Sequence, residues 1–202
     1  MDLTGRTAIV TGAGRGLGWG VAMALARAGA RVCITDIDED DVARAVRDVE
    51  AAGGQALGRG LDVADRGAFD AVARDVTGRW GRIDVLVHAA IHMPLVRFEA
   101  LDDASWQRQL DVGLGGFYHG IRAVWGTMVA QGGGHVMGIA SGSSVRGYVD
   151  EVAYCTIKHA QEGMVKALAL EAQERSIAVN TVGPGAAIKT TRITWQELEA
   201  LP

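Results

Sequence analysis

The chain has 202 residues, 49% hydrophobic and 22% charged, with 28 glycines, 3 prolines and 5% aromatics; this composition excludes a disordered, collagenous or disulfide-built chain, and the length suits one sizeable core but not two ordinary domains. A formal charge of -4, from 20 basic and 24 acidic residues spread along the chain, provides no basic tract that could neutralise a row of phosphates and so argues against nucleic acid as a partner. The longest apolar stretches are broken by Arg27, His119 or Arg122, Met1 to Arg6 does not read as a signal peptide, and Cys33 and Cys155 have no metal-ligand spacing, so the expectation is a cytoplasmic protein with no metal and no membrane partner.

In chain order, the pattern predicts a strand at Thr7 to Thr11, a helix at Leu17 to Ala28, a strand at Arg31 to Asp36 and a helix at Glu39 to Ala52. A strand at Ala56 to Asp62, a helix at Asp65 to Trp80 and a strand at Ile83 to His88 follow. The last third holds a long helix at Asp103 to Ala130, a strand at His135 to Ala140, a helix at Ala153 to Glu174 and a strand at Ile177 to Thr181. Each strand is mostly apolar on both faces, as a parallel strand covered by helices on both sides requires. Helical spacing is clear in Phe69, Val72, Val76 and Trp80, and again in Trp106, Leu110, Phe117, Ile121, Val124 and Met128; these stripes read as core. Regular alternation predicts right-handed crossovers and one α/β domain over residues 1–202, a doubly wound parallel β-sheet in a three-layer α/β/α sandwich, with ligands at the carboxyl ends of the strands. No internal repeat, linker or low-complexity tract interrupts it.

The first strand runs directly into Thr11-Gly12-Ala13-Gly14-Arg15-Gly16-Leu17-Gly18. Glycines between a strand and a helix let the backbone turn sharply and approach a pyrophosphate, whose charge is met by free N–H groups and the helix dipole. Asp36 closes the second strand 18 residues after Gly18, near the spacing of about 20 for an acid that binds ribose hydroxyls. The alternative reading of Asp36 is the start of the acidic cap of the next helix, with Asp38, Glu39, Asp40 and Asp41.

Tyr154 and Lys158 lie four residues apart, on one face of the last predicted helix. With three tyrosines and three lysines in the whole chain, that spacing is informative. A phenol with a reference pKa of about 10 is a poor acid–base group at neutral pH, and a neighbouring cation favours its ionised form. Thirteen residues before the tyrosine, Ser141 follows the fifth strand and opens the run Ser141-Gly142-Ser143-Ser144. Its hydroxyl is expected at the carboxyl edge of the sheet; Ser143 is the second choice, and any of the three serines can instead be a loop hydroxyl bonding backbone.

The spacing Thr-Gly-x-x-x-Gly-x-Gly, together with Tyr154-x-x-x-Lys158 and the upstream serine, resembles the short-chain dehydrogenase/reductase family over nearly the whole chain. The resemblance implies a Rossmann-fold oxidoreductase in which Gly12, Gly14, Arg15, Gly16, Leu17 and Gly18 hold the pyrophosphate and Asp36 the adenosine ribose. Asp62 and Val63 match the adenine-contacting pair, and Ala89 and Ala90 the small residues at the fourth strand's edge. The resemblance further implies that Lys158 binds the nicotinamide ribose beside Tyr154. Pro184 and Gly185 match the pair beside the nicotinamide, and Ile188 and Thr190 an Ile-x-Thr contact in uncertain register. The Asp36 carboxylate favours NAD; Arg15, a basic residue before the second motif glycine, points toward NADP and carries less weight. In the family's scheme Tyr154 passes a proton, Ser141 orients the substrate, and a hydride moves between substrate carbon and nicotinamide.

Three features depart from the family pattern. Asn-Asn-Ala-Gly after the fourth strand is here His88-Ala89-Ala90-Ile91, with His88 read as a structural replacement for an asparagine side chain and His92 and Met93 following it in the loop. The family's asparagine from Asn-x-x-Gly falls on Gly113, in a stretch with Gly115 and Gly116; the resemblance implies a missing side chain for the relay water near Lys158 and hence reduced turnover, with a second water bridging to backbone carbonyls. The sequence also ends at Pro202, soon after Thr194 and Glu197 begin a capped turn, where family members continue through a lid, a helix and a last strand; the expectation is a longer natural chain. The leading reading is an NAD-dependent enzyme interconverting a secondary alcohol and a ketone, working as a homodimer or homotetramer. The rivals are a catalytically impaired nucleotide-binding or sensing protein and an oligomeric interaction module.

Overall fold

A computed structural model describes residues 2–183. Six strands form one sheet in the order β3-β2-β1-β4-β5-β6, and every neighbouring pair is parallel. They are β1 (Thr7–Thr11), β2 (Arg31–Asp36), β3 (Gln55–Gly60), β4 (Val85–His88), β5 (Gly134–Ile139) and β6 (Ile177–Val182). The helices are α1 (Gly16–Arg27), α2 (Glu39–Ala51), α3 (Arg66–Trp80), α4 (Asp103–Leu110), α5 (Gly116–Ala130) and α6 (Val152–Ala172). Strand order reverses between β1 and β4, which places a crevice at their carboxyl ends.

The sheet is covered on both faces because its strands are apolar on both. Ile9, Cys33, Leu86 and Val136 face Phe69, Val76, Phe117 and Val165 from α3, α5 and α6. Val10, Val32, Ile34 and Val87 face Ala22, Met23, Val42 and Val49 from α1 and α2. All five residues of β1 are buried, so the strand that delivers the glycine loop is the most enclosed part of the sheet.

Side chains explain where the elements depart from the sequence pattern. The fourth strand starts two residues later than expected, because the Gln131 amide takes both backbone groups of Ile83, accepting from its N–H at 3.2 Å and donating to its carbonyl at 2.6 Å. The third ends at Gly60; beyond it the Asp62 carboxylate accepts from Ala64 N–H at 3.0 Å and turns the chain. The long helix expected over 103–130 is continuous but carries a π-helical turn at Asp111–Gly115, where Gly113, Gly115 and Gly116 cluster. A β-carbon at Gly113 would lie 2.7 Å from Ile157 Cγ2 and 3.1 Å from Ile91 Cδ1, and one at Gly116 would lie 2.6 Å from Val63 Cγ2. The widened turn therefore packs its backbone directly against α6 and the ends of β3 and β4.

Two predictions follow from this packing. Gly113→Ala should lower the melting temperature, because overpacking of about 1–3 kcal/mol outweighs the gain in helix propensity of about 1 kcal/mol; a thermal melt checks it, and a rise would show that propensity dominates. The second concerns Asp84, buried at the amino end of the sheet, where it accepts from Thr7 N–H, Arg6 and Arg82. Burial pushes its carboxyl up, but the Arg82 guanidinium, Thr7 N–H and Arg6 outweigh that and hold it below the usual carboxylate range. Its stabilisation is thus present above the unfolded value of about 3.9 and lost as pH falls through the lower folded one. Asp84→Asn should cost stability at pH 7 and much less at pH 2 in denaturant titrations; an equal loss at both would refute the assignment.

Candidate cofactor and catalytic site

At the carboxyl edge of β1 the backbone turns through left-handed conformations at Gly12 (φ +61°) and Gly16 (φ +59°), which glycine adopts without steric cost. A β-carbon at Gly12 would sit 2.7 Å from Ala90 Cα, and one at Gly18 would sit 2.1 Å from the Gly12 carbonyl oxygen. Glycine is thus what lets β1, α1 and the end of β4 converge. α1 has no side-chain cap and no acidic residue in its first turn. By contrast, α2, α3 and α4 are capped by Asp38, Asp65 and Asp102. The uncapped N–H groups of α1 and its dipole suit an anion.

Asp36, at the end of β2, accepts from Gly14 N–H at 3.0 Å and from Asp38 N–H at 3.3 Å. Arg15 is largely exposed and 3.7 Å from the Asp41 carboxylate, and Arg44 donates to the Gly14 carbonyl at 3.0 Å. Asp62 pairs with Arg108 at 2.9 Å; partial burial raises its carboxyl, but Arg108 and Ala64 N–H more than offset this and leave it lowered.

His88 joins the ends of β1 and β4. Thr11 Oγ1 accepts from the N–H groups of Ala89 and Ala90 at 3.2 and 3.3 Å and lies 3.1 Å from His88 Nδ1. With two donors entering that oxygen, the threonine proton goes to Nδ1, which assigns the imidazole proton to Nε2. Burial, and then the charge of Lys158, push the His88 pKa down to about 3, despite favourable carbonyls of Gly113 and Val112 on that side. Neither carbonyl meets Nε2 in hydrogen-bonding geometry. His88 is therefore a neutral, buried tie, in keeping with a structural role.

On α6 the Lys158 Nζ lies 5.5 Å from the centroid of the Tyr154 ring. Lys158 is 5% exposed; burial pulls its pKa down to about 8, with Glu162 opposing. Its ammonium donates to the Ile139 carbonyl at 2.6 Å and to Gln161 Oε1 at 3.0 Å, while Gln161 Nε2 donates to the Gly113 carbonyl at 2.8 Å. The serines separate clearly. Ser144 Oγ accepts from Ser141 N–H at 3.1 Å, and the buried Ser143 donates to the Glu151 carboxylate at 2.6 Å. Ser141 is partly exposed; its hydroxyl accepts from Ser143 N–H at 3.2 Å and lies 3.3 Å from Ser143 Oγ.

One cleft of about 690 Å³ brings together Gly12, Arg15, Gly16, Leu17, Gly18, Asp36, Asp62, Val63, Ala89, Ala90, Tyr154 and Lys158. Gly14 does not line it and acts through its backbone on Asp36. Ser141 does not line the cleft; it follows Ile139, the wall residue at the end of β5, by two positions. His92 and Met93 border the cleft, as do Ile37, Leu61, Ile91, Pro94, Arg108 and Val112, which the sequence pattern did not assign to the cofactor. Pro184, Gly185, Ile188 and Thr190 lie outside the described residues, as do Thr194 and Glu197. Gln161 had no place in the sequence reading; the available signal was a polar residue three positions after Lys158 on a helix face otherwise buried through Ile157 and Val165. Among the described residues there is no cluster of His, Cys, Asp and Glu that could hold a metal, and no helix long and apolar enough to cross a membrane. The glycine cradle, uncapped helix end and Asp36 carboxylate fit a dinucleotide, and Tyr154 and Lys158 line the same cleft.

Comparison with known proteins agrees with this geometry. The family described as short chain dehydrogenase matches residues 6–200. Galactitol 2-dehydrogenase from Agrobacterium fabrum is 36% identical over 186 residues, covering 92% of this chain and 72% of that enzyme. The peroxisomal hydratase-dehydrogenase-epimerase of Neurospora crassa is 34% identical over 198 residues, 98% of this chain but 22% of that longer protein. A solved 7α-hydroxysteroid dehydrogenase complexed with NADH and 7-oxo glycochenodeoxycholic acid superposes with a TM-score of 0.90 at 30% identity, covering 96% of this chain and 77% of that one. A metagenomic short-chain oxidoreductase in complex with NADP gives 0.87 at 32% identity, over 92% and 85% of the two chains. With the fold, the glycine loop and the Tyr154–Lys158 pair already in place, this chain belongs to the short-chain dehydrogenase/reductase family.

Proposed function

We propose that the chain is an NAD-dependent oxidoreductase interconverting a secondary alcohol and a ketone. The observation that carries this reading is the Tyr154–Lys158 pair, which lines the same cleft as the glycine loop and Asp36. Relatives named for galactitol and for a 7α-hydroxysteroid support a hydroxyl-bearing carbon as the common reacting group. When bound, the nicotinamide supplies the hydride donor or acceptor.

The chain's own residues handle the proton and the substrate oxygen. In the oxidative direction the ionised Tyr154 oxygen accepts the proton of the substrate hydroxyl, and in reduction the phenol returns it to the forming alkoxide. Lys158 favours the ionised phenol by its charge. Ser141 orients the substrate oxygen; Ser143 and Ser144 are buried and Ser143 donates to Glu151, whereas Ser141 is partly exposed, which supports Ser141 for that role. The Asp36 carboxylate accepts from ribose hydroxyls and repels a 2′-phosphate, and the nearby charge of Arg15 is offset by Asp41.

Two experiments test the reading. Following NAD reduction with a panel of secondary alcohols, wild type should turn over, and Tyr154→Phe should lose about 10²–10⁴-fold in kcat while still binding NADH by fluorescence. NADH binding without turnover on any alcohol would replace the enzyme with a nucleotide-binding protein. Wild type should also favour NAD over NADP in kcat/KM by about tenfold or more, ~1.4 kcal/mol, and Asp36→Ser should erase most of that preference; an unchanged ratio would move cofactor choice away from Asp36.

A further inference from the structure

We infer that Gln161 is the positioning residue of Lys158: its buried side-chain amide spans from the Lys158 ammonium to the Gly113 carbonyl in the π-helical turn and holds that ammonium beside Tyr154. The inference rests on the proposed function for its consequence in turnover, and on geometry for its substance.

Gln161 is 1% exposed, and both ends of its amide are used. The chemistry of its partners fixes its orientation. An ammonium can only donate and a carbonyl can only accept, so Oε1 must face Lys158 and Nε2 must face Gly113. A buried amide that spans a cation and a backbone carbonyl is satisfied at both ends, and removal of either bond would leave a polar group stranded. Two of the three ammonium donors are taken, by Ile139 O and Gln161 Oε1. These two anchors fix the remaining donor's direction, and Lys158 lines the cleft.

The arrangement also gives Gly113 a part to play without a side chain. The π-helical turn presents the Gly113 carbonyl to α6, and Gln161 reaches it across 48 residues of sequence. Lys158 and Gln161 are three apart on α6, so they share a helix face and move together; the bond to Gly113 ties that face to the 103–130 helix. Where the family pattern implies an asparagine side chain, Lys158 is thus tied to this turn by an amide bridge to a backbone carbonyl.

Among the described residues, the titratable groups acting on Lys158 are His88 from β4 and Tyr154 and Glu162 from α6. β5 and the π-helical turn present carbonyls only, those of Ile139 and, through Gln161, Gly113. His88 is neutral over the working range, so a change at residue 161 reads out on Lys158 directly.

The test uses the full chain labelled with ¹³Cε-lysine, which places label at only Lys158, Lys166 and Lys189; the Lys158 signal is the one lost in Lys158→Arg. In Gln161→Leu the ammonium loses an acceptor, and its titration midpoint should move down by about one pH unit or more. In Gln161→Glu a carboxylate takes the same place, and the midpoint should move up by about 1–3 units. Lys166 should not move in either. In turnover assays the Leu variant should lose kcat, and the Glu variant should recover part of the loss. An unmoved Lys158 midpoint in both variants, or shifts of the same sign, would overturn the inference; if the Leu variant does not fold, the sign of the Glu shift decides. Opposite shifts in a protein that reduces no nicotinamide would sustain the bridge and defeat the proposed function.

Discussion

The structure is organised around one buried positive charge. The Lys158 ammonium is almost withdrawn from solvent, and a charge in that position is tolerated only where its donors are met and an opposing or polarisable group lies near. Meeting them constrains three elements at once. β5 must end at Ile139 so that its carbonyl turns to Lys158, α6 must lie close enough to bring Gln161 under the ammonium, and the 103–130 helix must open into a π-helical turn that offers the Gly113 carbonyl. Even His88 falls under this constraint. A second cation beside Lys158 would add like-charge repulsion to the cost of burial, so the imidazole stays neutral and serves as a tie between the ends of β1 and β4.

What could be seen in the sequence was what is encoded locally. The glycine loop declares itself through spacing, because its left-handed turns at Gly12 and Gly16 and the approach of Gly18 to the Gly12 carbonyl are set within seven residues. Tyr154 and Lys158 are visible for the same reason, since one turn of helix brings them together. The strands were legible in number and in position along the chain because apolar continuity on both faces is a property of each segment alone, whereas their ends depended on distant side chains such as Gln131 at Ile83. Gln161 and Arg108 escaped because their partners lie far away in the chain: the first reaches Gly113, the second Asp62. A buried polar residue in an apolar stripe looks unremarkable until its partner is in view.

The three clustered serines show how geometry resolves what composition leaves open. All have the same chemistry and lie within four residues, so sequence alone ranks them only by distance from the strand. In the fold their hydroxyls face different demands. Ser144 closes the short turn by accepting from Ser141 N–H, and Ser143 is buried against a carboxylate, which takes its proton. Ser141 keeps partial exposure after β5, accepting from Ser143 N–H and donating to Ser143 Oγ, whose own proton goes to Glu151.

The departures at positions 91 and 113 are best understood as one change. Where the family pattern has a glycine after the two small residues and an asparagine on the helix, this chain has Ile91 and Gly113, so bulk is exchanged between the loop and the helix. The space a side chain at 113 would enter is already filled, by Ile157 from α6 and by the tip of Ile91. Restoring the family residue at 113 alone would therefore test packing before it tested chemistry, since Ile157 Cγ2 belongs to a fully buried residue with no room to withdraw. The backbone carbonyl of Gly113 survives the exchange unchanged, and it is this group that Gln161 uses. The polar connection to Lys158 thus passes through an atom every residue possesses, which frees the side-chain position to answer to packing.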